Sequence, residues 1–135
     1  MASRIAPNPD AFSMTPAKAK PVQRPEYLKF IRMLPCVITL RPVVDAAHVS
    51  MAAPDFGAHG RGKGQKSDDS WALPLVRENH DEQHRIAEMT FWHKHGIDPH
   101  TACLTLWGIY NRMPHDEAVT TATAIIRRRG LGRMQ

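Results

Sequence analysis

Two kinds of apolar pattern alternate along this 135-residue chain: spacing of three to four residues, and short unbroken runs. The stretch "PEYLKFIRMLP", residues 25–35, sets Tyr27, Leu28, Ile31 and Leu34 on one helical face and stops at a proline. "CVITL" (36–40) is apolar and β-branched and predicts a strand. "RP" interrupts it, and "VVDAAHVS" (43–50) predicts a second strand able to pair with the first as a hairpin. Residues 51–70 carry Gly57, Gly60, Gly62 and Gly64 with no apolar pattern, a loop of the length that compact domains reserve for function or leave disordered. "WALPL" (71–75) returns the chain to the core. A helix is predicted over 77–94 with a stop at Gly96, and another over 99–112 with Pro99 in its first turn. "PHDEAVTTATAIIRRR" predicts a last helix, acidic at its start and basic at its end as the helix dipole prefers, closed by Gly130. Residues 1–25 are rich in Pro, Ala, Lys and Ser without periodicity and read as a flexible arm.

Composition adds limits. The length suits one domain with a modest core. No apolar run approaches the roughly 20 residues of a membrane span, and the first twenty residues lack the apolar centre of a secretory signal. Two cysteines, Cys36 and Cys103, are too few for a disulfide framework. A cytoplasmic, soluble protein is therefore expected. The net charge of +5 is unevenly spread: residues 1–25 carry +3, residues 127–135 carry +4 and the middle carries −2. Basic ends around a nearly neutral body suit a polyanion partner, because each neutralised phosphate releases counterions; solubilising tails are the plainer alternative.

The chemistry concentrates in "LPLVRENHDEQHR" (73–85). His80 and His84 lie four apart, so a helix stacks them on one face, where both can reach one ion roughly 2.0–2.1 Å from each nitrogen if it is zinc. Eight histidines make chance pairs common, and a solvated helix face explains the spacing equally well. The order is more telling: a hairpin bearing His48, then a Gly/Lys/Arg loop, then the helix with His80 and His84.

In "VDAAHV", "GRGKGQKSDD", "LPLVRENHDEQH" and "FWHKHGIDP" the chain resembles the HNH (His-Me finger) nuclease superfamily over about residues 34–99, most closely its small phage, prophage and bacterial subgroup. The resemblance implies an α+β fold with a ββα-metal core and added N- and C-terminal helices: a basic arm (1–25), one HNH-type domain (26–130) and a basic tail (131–135). It implies a metal-dependent endonuclease hydrolysing phosphodiester bonds in DNA, double-stranded or structured, in a bacterial host cell. His48 matches the general base; histidine's ordinary pKa near 6.5 keeps the neutral form available at pH 7. His80 and His84 match helix ligands for one divalent ion (Mg²⁺, Mn²⁺, Ni²⁺ or Zn²⁺), which would polarise the phosphate and stabilise the leaving 3′ oxygen. Arg85 is placed to hold a phosphate, or else to pair with Glu82 or Glu88. Arg61, Lys63 and Lys66, interleaved with glycines, match backbone contacts to DNA.

The departures from that pattern matter as much. Ala47 stands where relatives carry Asp or His as a metal ligand. Asp45 is then either a substitute ligand, direct or through water, or a hydrogen-bonding residue beside the hairpin. Trp71 falls near the family's central Asn and is expected to plug the loop base into the core, leaving Asp68 or Asp69 to restrain the loop. Thr39 and Val76 occupy positions where a zinc knuckle would need cysteines, so Cys36 and Cys103 are expected to be small buried hydrophobes. Phe91, Trp92, Trp107 and Tyr110 are expected in the core, and His93, His95, His100 and His115 receive no role. The rival functions are a non-catalytic DNA-binding or recombination accessory protein that keeps the HNH fold, and a metal-stapled structural protein. Monomer and homodimer remain equally open.

Overall fold

The computed structural model describes residues 22–53 and 68–134. Seven elements follow one another: α1 (Pro25–Arg32), β1 (Asp45–His48), β2 (Ala72–Leu75), α2 (Arg77–Arg85), α3 (Glu88–Lys94), α4 (Pro99–Arg112) and α5 (His115–Arg127). The fold is α+β. β1 and β2 are antiparallel, in the register Asp45 opposite Leu75 and His48 opposite Ala72. All four side chains of β2 are buried. Because strand side chains alternate between faces, both faces of the pair are covered, with α1, α2 and α4 all packed on it.

The expected hairpin has a different partner. Residues 36–40 form no strand; the Cys36 amide bonds the Arg41 carbonyl (2.9 Å) and the Leu40 amide returns to the Cys36 carbonyl (2.9 Å). The Cys36 sulfur accepts the Ile38 and Thr39 amides, both at 3.4 Å, and its S–H faces Asn79 Oδ1 at 3.7 Å. These local bonds close residues 36–41 into a turn of their own, so that no strand from 36–40 runs alongside 43–50. Leu40 and Val43 both adopt positive φ (66° and 64°), which closes the turn and leaves Val43 90% exposed. The strand that pairs with β1 is the "WALPL" segment. Cys36 is buried as expected, yet it is also the hydrogen-bonding hub of its loop, which an apolar side chain could not be.

The predicted helix over 77–94 is two helices. Ile86 (φ −113°, ψ 170°) and Ala87 (φ −58°, ψ 130°) are extended between them. The break turns α3 so that Phe91 and Trp92 are both buried, at 0% and 1% exposure. α4 matches its prediction, its Asp98 cap accepting the His100 and Thr101 amides. α5 is two residues shorter than predicted at its basic end. Tyr27, Phe30, Trp107 and Tyr110 pack edge-on and stacked between α1 and α4; Trp107 and Tyr110 are only partly buried. In α1 the buried face holds Phe30, where the spacing had suggested Leu28.

Residues 22–24 and 131–134 are docked on the body of the fold, and residues 1–21 of the expected arm lie outside the described residues. Leu131 is buried, the Asp98 amide bonds the Gly132 carbonyl (2.6 Å), and the Met134 amide bonds the Gly96 carbonyl (2.9 Å). Gly132 has φ +62°, and a Cβ there would stand 2.7 Å from the Asp98 carbonyl oxygen. At the other end, residues 22–24 lie against the 68–70 turn, with the Asp69 amide on the Val22 carbonyl at 3.1 Å. No helix among the described residues is long and apolar enough to cross a membrane.

Candidate functional site

β2 feeds α2 across one residue, Val76, so the first turn of α2 lies beside the start of β1. Asp45 therefore meets two α2 side chains. Its carboxylate takes two Arg77 nitrogens (3.0 and 3.2 Å) and, through Oδ2, the Nδ1 of His80 at 3.0 Å. A carboxylate only accepts, so that Nδ1 carries the hydrogen and the Nε2 of a neutral His80 ring keeps its lone pair. One turn on, His84 brings its own Nε2 to within 3.2 Å of His80 Nε2, the ring centroids 4.9 Å apart.

This geometry fits one ion on the pair. Two nitrogens bound to the same tetrahedral zinc at 2.0–2.1 Å stand roughly 3.3–3.4 Å apart. A carboxylate on the far nitrogen is the usual way such an imidazole is oriented. Asp45 thus occupies the outer edge of His80, the hydrogen-bonding alternative of the two left open by the sequence. Among the described residues no group of three or more His, Cys, Asp or Glu side chains converges in a metal-holding arrangement. Among the described residues the pair would supply two ligands to such an ion.

His48 closes β1. Its Nε2 lies 2.7 Å from Asp69 Oδ1. The helix histidines and His48 form two groups, with no hydrogen bond joining the rings. Gln83 connects them: from between His80 and His84 on α2, its buried amide donates to the His48 carbonyl at 3.0 Å and to Glu88 at 2.9 Å. Glu88 also accepts the Ser50 amide (3.1 Å), the Ser50 hydroxyl and the Trp92 indole N–H (3.0 Å). One carboxylate at the start of α3 thus gathers the residue two past His48, the helix of the histidine pair and the core tryptophan. Gln83 carries no signal in the sequence, and Glu88 offers itself there only as a partner for Arg85, a role it does not take.

Arg85 is exposed at the end of α2. Neither acid considered as its partner takes it. Glu82 bonds Lys94 (2.6 Å) and His95 (3.4 Å), which hold its carboxyl below the ordinary value in that order of weight. Glu88 is engaged as described. Glu78, at the start of α2, bonds Arg41 at 2.9 Å. Asp68 bonds the Ser70 amide and hydroxyl (2.9 Å each) and Arg24 Nε (3.1 Å). Burial works to raise its carboxyl, and these bonds outweigh it, leaving the group below its ordinary range.

His100, given no role from sequence, is buried; its Nε2–H donates to the Met51 carbonyl (2.8 Å) and its ring meets Trp71 edge-on at 5.5 Å. It pins both ends of the long loop, and Trp71 sits at the loop base as expected. Arg61, Lys63, Lys66 and His59 lie outside the described residues.

Fold and site together define a class: a small α+β protein whose antiparallel strand pair runs straight into a helix bearing an oriented imidazole pair. The chain belongs to the family described as "Protein of unknown function (DUF968)", whose model matches residues 1–109 and so ends within α4. No curated protein and no solved structure matches it.

Proposed function

We propose that this chain is a metal-dependent endonuclease of the HNH (His-Me finger) type, hydrolysing phosphodiester bonds in DNA. The observation that carries the reading is the run β1–β2–α2, with His48 closing β1 and two α2 imidazoles whose Nε2 atoms meet at 3.2 Å while Asp45 holds the outer nitrogen of one. That order of elements agrees with a ββα-metal core. His80 and His84 would hold one divalent ion, whose chemistry is to offset charge on the scissile phosphate and its leaving oxygen. His48 takes a proton from a water molecule; the water oxygen bonds phosphorus in line as the P–O3′ bond breaks. Arg85, exposed and without an acid partner among the described residues, grips a phosphate oxygen. Arg61, Lys63 and Lys66, with the arginines of 127–133, neutralise the DNA backbone.

Two observations favour a second reading, a DNA-binding or recombination accessory protein that keeps this fold without turnover. Ala47 is fully buried and offers no ligand. Asp45 and His48 are three apart, and side chains at odd separations leave a regular strand on opposite faces. Purified wild type and His48→Ala, incubated with plasmid and Mg²⁺, Mn²⁺, Ni²⁺ or Zn²⁺, separate the readings. Nicking by wild type that His48→Ala loses while DNA binding persists supports the nuclease. Tight binding with no nicking under any ion supports the accessory role. Folding that requires metal, without DNA affinity, leaves a stapled structural protein.

A further inference from the structure

We propose that Asp69 is the positioning residue of His48, fixing the ring with its hydrogen on Nε2 and presenting Nδ1 as the nitrogen that accepts a proton. The proposal deepens the nuclease reading and rests on it for the meaning of Nδ1, but the tautomer itself can be measured without any reaction. An imidazole free in water exchanges between two tautomers and rotates about its side-chain bonds, and only one arrangement aims a lone pair at a given point. A carboxylate against one nitrogen settles both, because it accepts and never donates.

Several features make Asp69 such a fixture. The contact is short, 2.7 Å, and both side chains are largely withdrawn from solvent, at 14% and 25% exposure. The carboxylate cannot swing away: its Oδ2 accepts the Arg24 amide at 2.7 Å, and its own amide donates to the Val22 carbonyl at 3.1 Å. The turn beneath it is separately held, with the Trp71 amide on the Asp68 carbonyl (2.9 Å) and the Asp68 side chain on Ser70. On the far side, the Val49 amide bonds the Trp71 carbonyl at 2.8 Å and Gln83 takes the His48 carbonyl, so the main chain on both sides of the ring is fixed as well. His48 Nδ1 makes no hydrogen bond among the described residues. The bonds from Asp68 to Ser70 and Arg24 hold the turn without Asp69 Oδ1, which is left to meet the imidazole at the end of β1.

The test is the ¹⁵N spectrum of the histidine rings in full-length protein at a pH where His48 is neutral, beside plasmid nicking. Wild type is expected to show His48 with hydrogen on Nε2 and a bare Nδ1. Asp69→Asn turns an NH₂ toward the ring and should move the hydrogen to Nδ1; Asp69→Ala should give a mixture. Asp68→Asn weakens the same turn without touching the ring and should leave the tautomer as in wild type. Where wild type nicks, Asp69→Asn should slow it roughly 10²–10⁴-fold, the range a positioned base contributes, with DNA affinity unchanged. A wild-type His48 protonated on Nδ1 overturns the proposal even if no variant folds, and so does an Asp69→Asn protein with wild-type tautomer and rate. A protein that never nicks but shows the expected tautomers sinks the nuclease reading and leaves the fixture standing.

Discussion

Asparagine at position 45 should weaken metal binding at the α2 pair without abolishing it. Asp45 touches His80 only on Nδ1, 3.0 Å away, while the nitrogen facing His84 is Nε2. Loss of such an outer carboxylate costs roughly 10–100-fold in metal affinity, or about 1.4–2.8 kcal/mol at 1.4 kcal/mol per decade. The assay is urea unfolding with and without Zn²⁺, Ni²⁺ or Co²⁺ at a concentration near 100 times the wild-type dissociation constant. Wild type should then gain about 2.7 kcal/mol. Under the same conditions Asp45→Asn should keep about 1.4 kcal/mol if affinity falls tenfold and about 0.4 kcal/mol if it falls a hundredfold. His84→Ala should lose the gain altogether. If Asp45→Asn loses it as completely as His84→Ala, Asp45 is itself a ligand and the outer-edge assignment is wrong. If wild type gains nothing from any of the three ions, the pair is an ordinary solvated stretch of helix.

Gly132→Ala should destabilise the fold by about 2–5 kcal/mol. Its φ of +62° costs a side-chain residue roughly 1–2 kcal/mol, and the new Cβ would stand 2.7 Å from the Asp98 carbonyl and 2.8 Å from Ala102 Cβ, overpacking worth about 1–3 kcal/mol. An unchanged urea midpoint refutes this. For Asp68, the folded carboxyl sits below its ordinary value, so its stabilising effect is present above the unfolded pKa and is lost as pH falls through the folded one. Urea midpoints of wild type and Asp68→Asn should therefore differ most above about pH 4 and converge toward more acid conditions; a gap that widens on acidification contradicts the assignment.

Helices were legible wherever caps and periodicity agreed, as in α4, where Asp98, Pro99 and a run of apolar residues point the same way. The α2–α3 break was not, because Ile86 and Ala87 are compatible with a helix and only tertiary bonds to Glu88 make the extended geometry worthwhile. Strand pairing is not legible for a related reason. "CVITL" has the composition of a strand, but composition is silent on the sulfur of Cys36 capturing two amides, and β1 pairs instead with a segment on the far side of a long loop. The i, i+4 histidine pair was visible from spacing alone. Its link to Asp45, and that of His48 to Asp69, depend on which strands pair and in what register. His100 eluded the reading because an isolated histidine among polar neighbours carries no pattern; its part is played by residues 49 positions apart.

Both thiols are closed off from solvent in different parts of the molecule, Cys36 in the turn that abuts α2 and Cys103 in the middle of α4. Their labelling by a disulfide reagent consequently times the opening of each neighbourhood separately, without any introduced probe. Equal rates mean that the chain opens as a single cooperative unit; a faster Cys36 means that the turn beside the histidine helix breathes while the helical half stays shut.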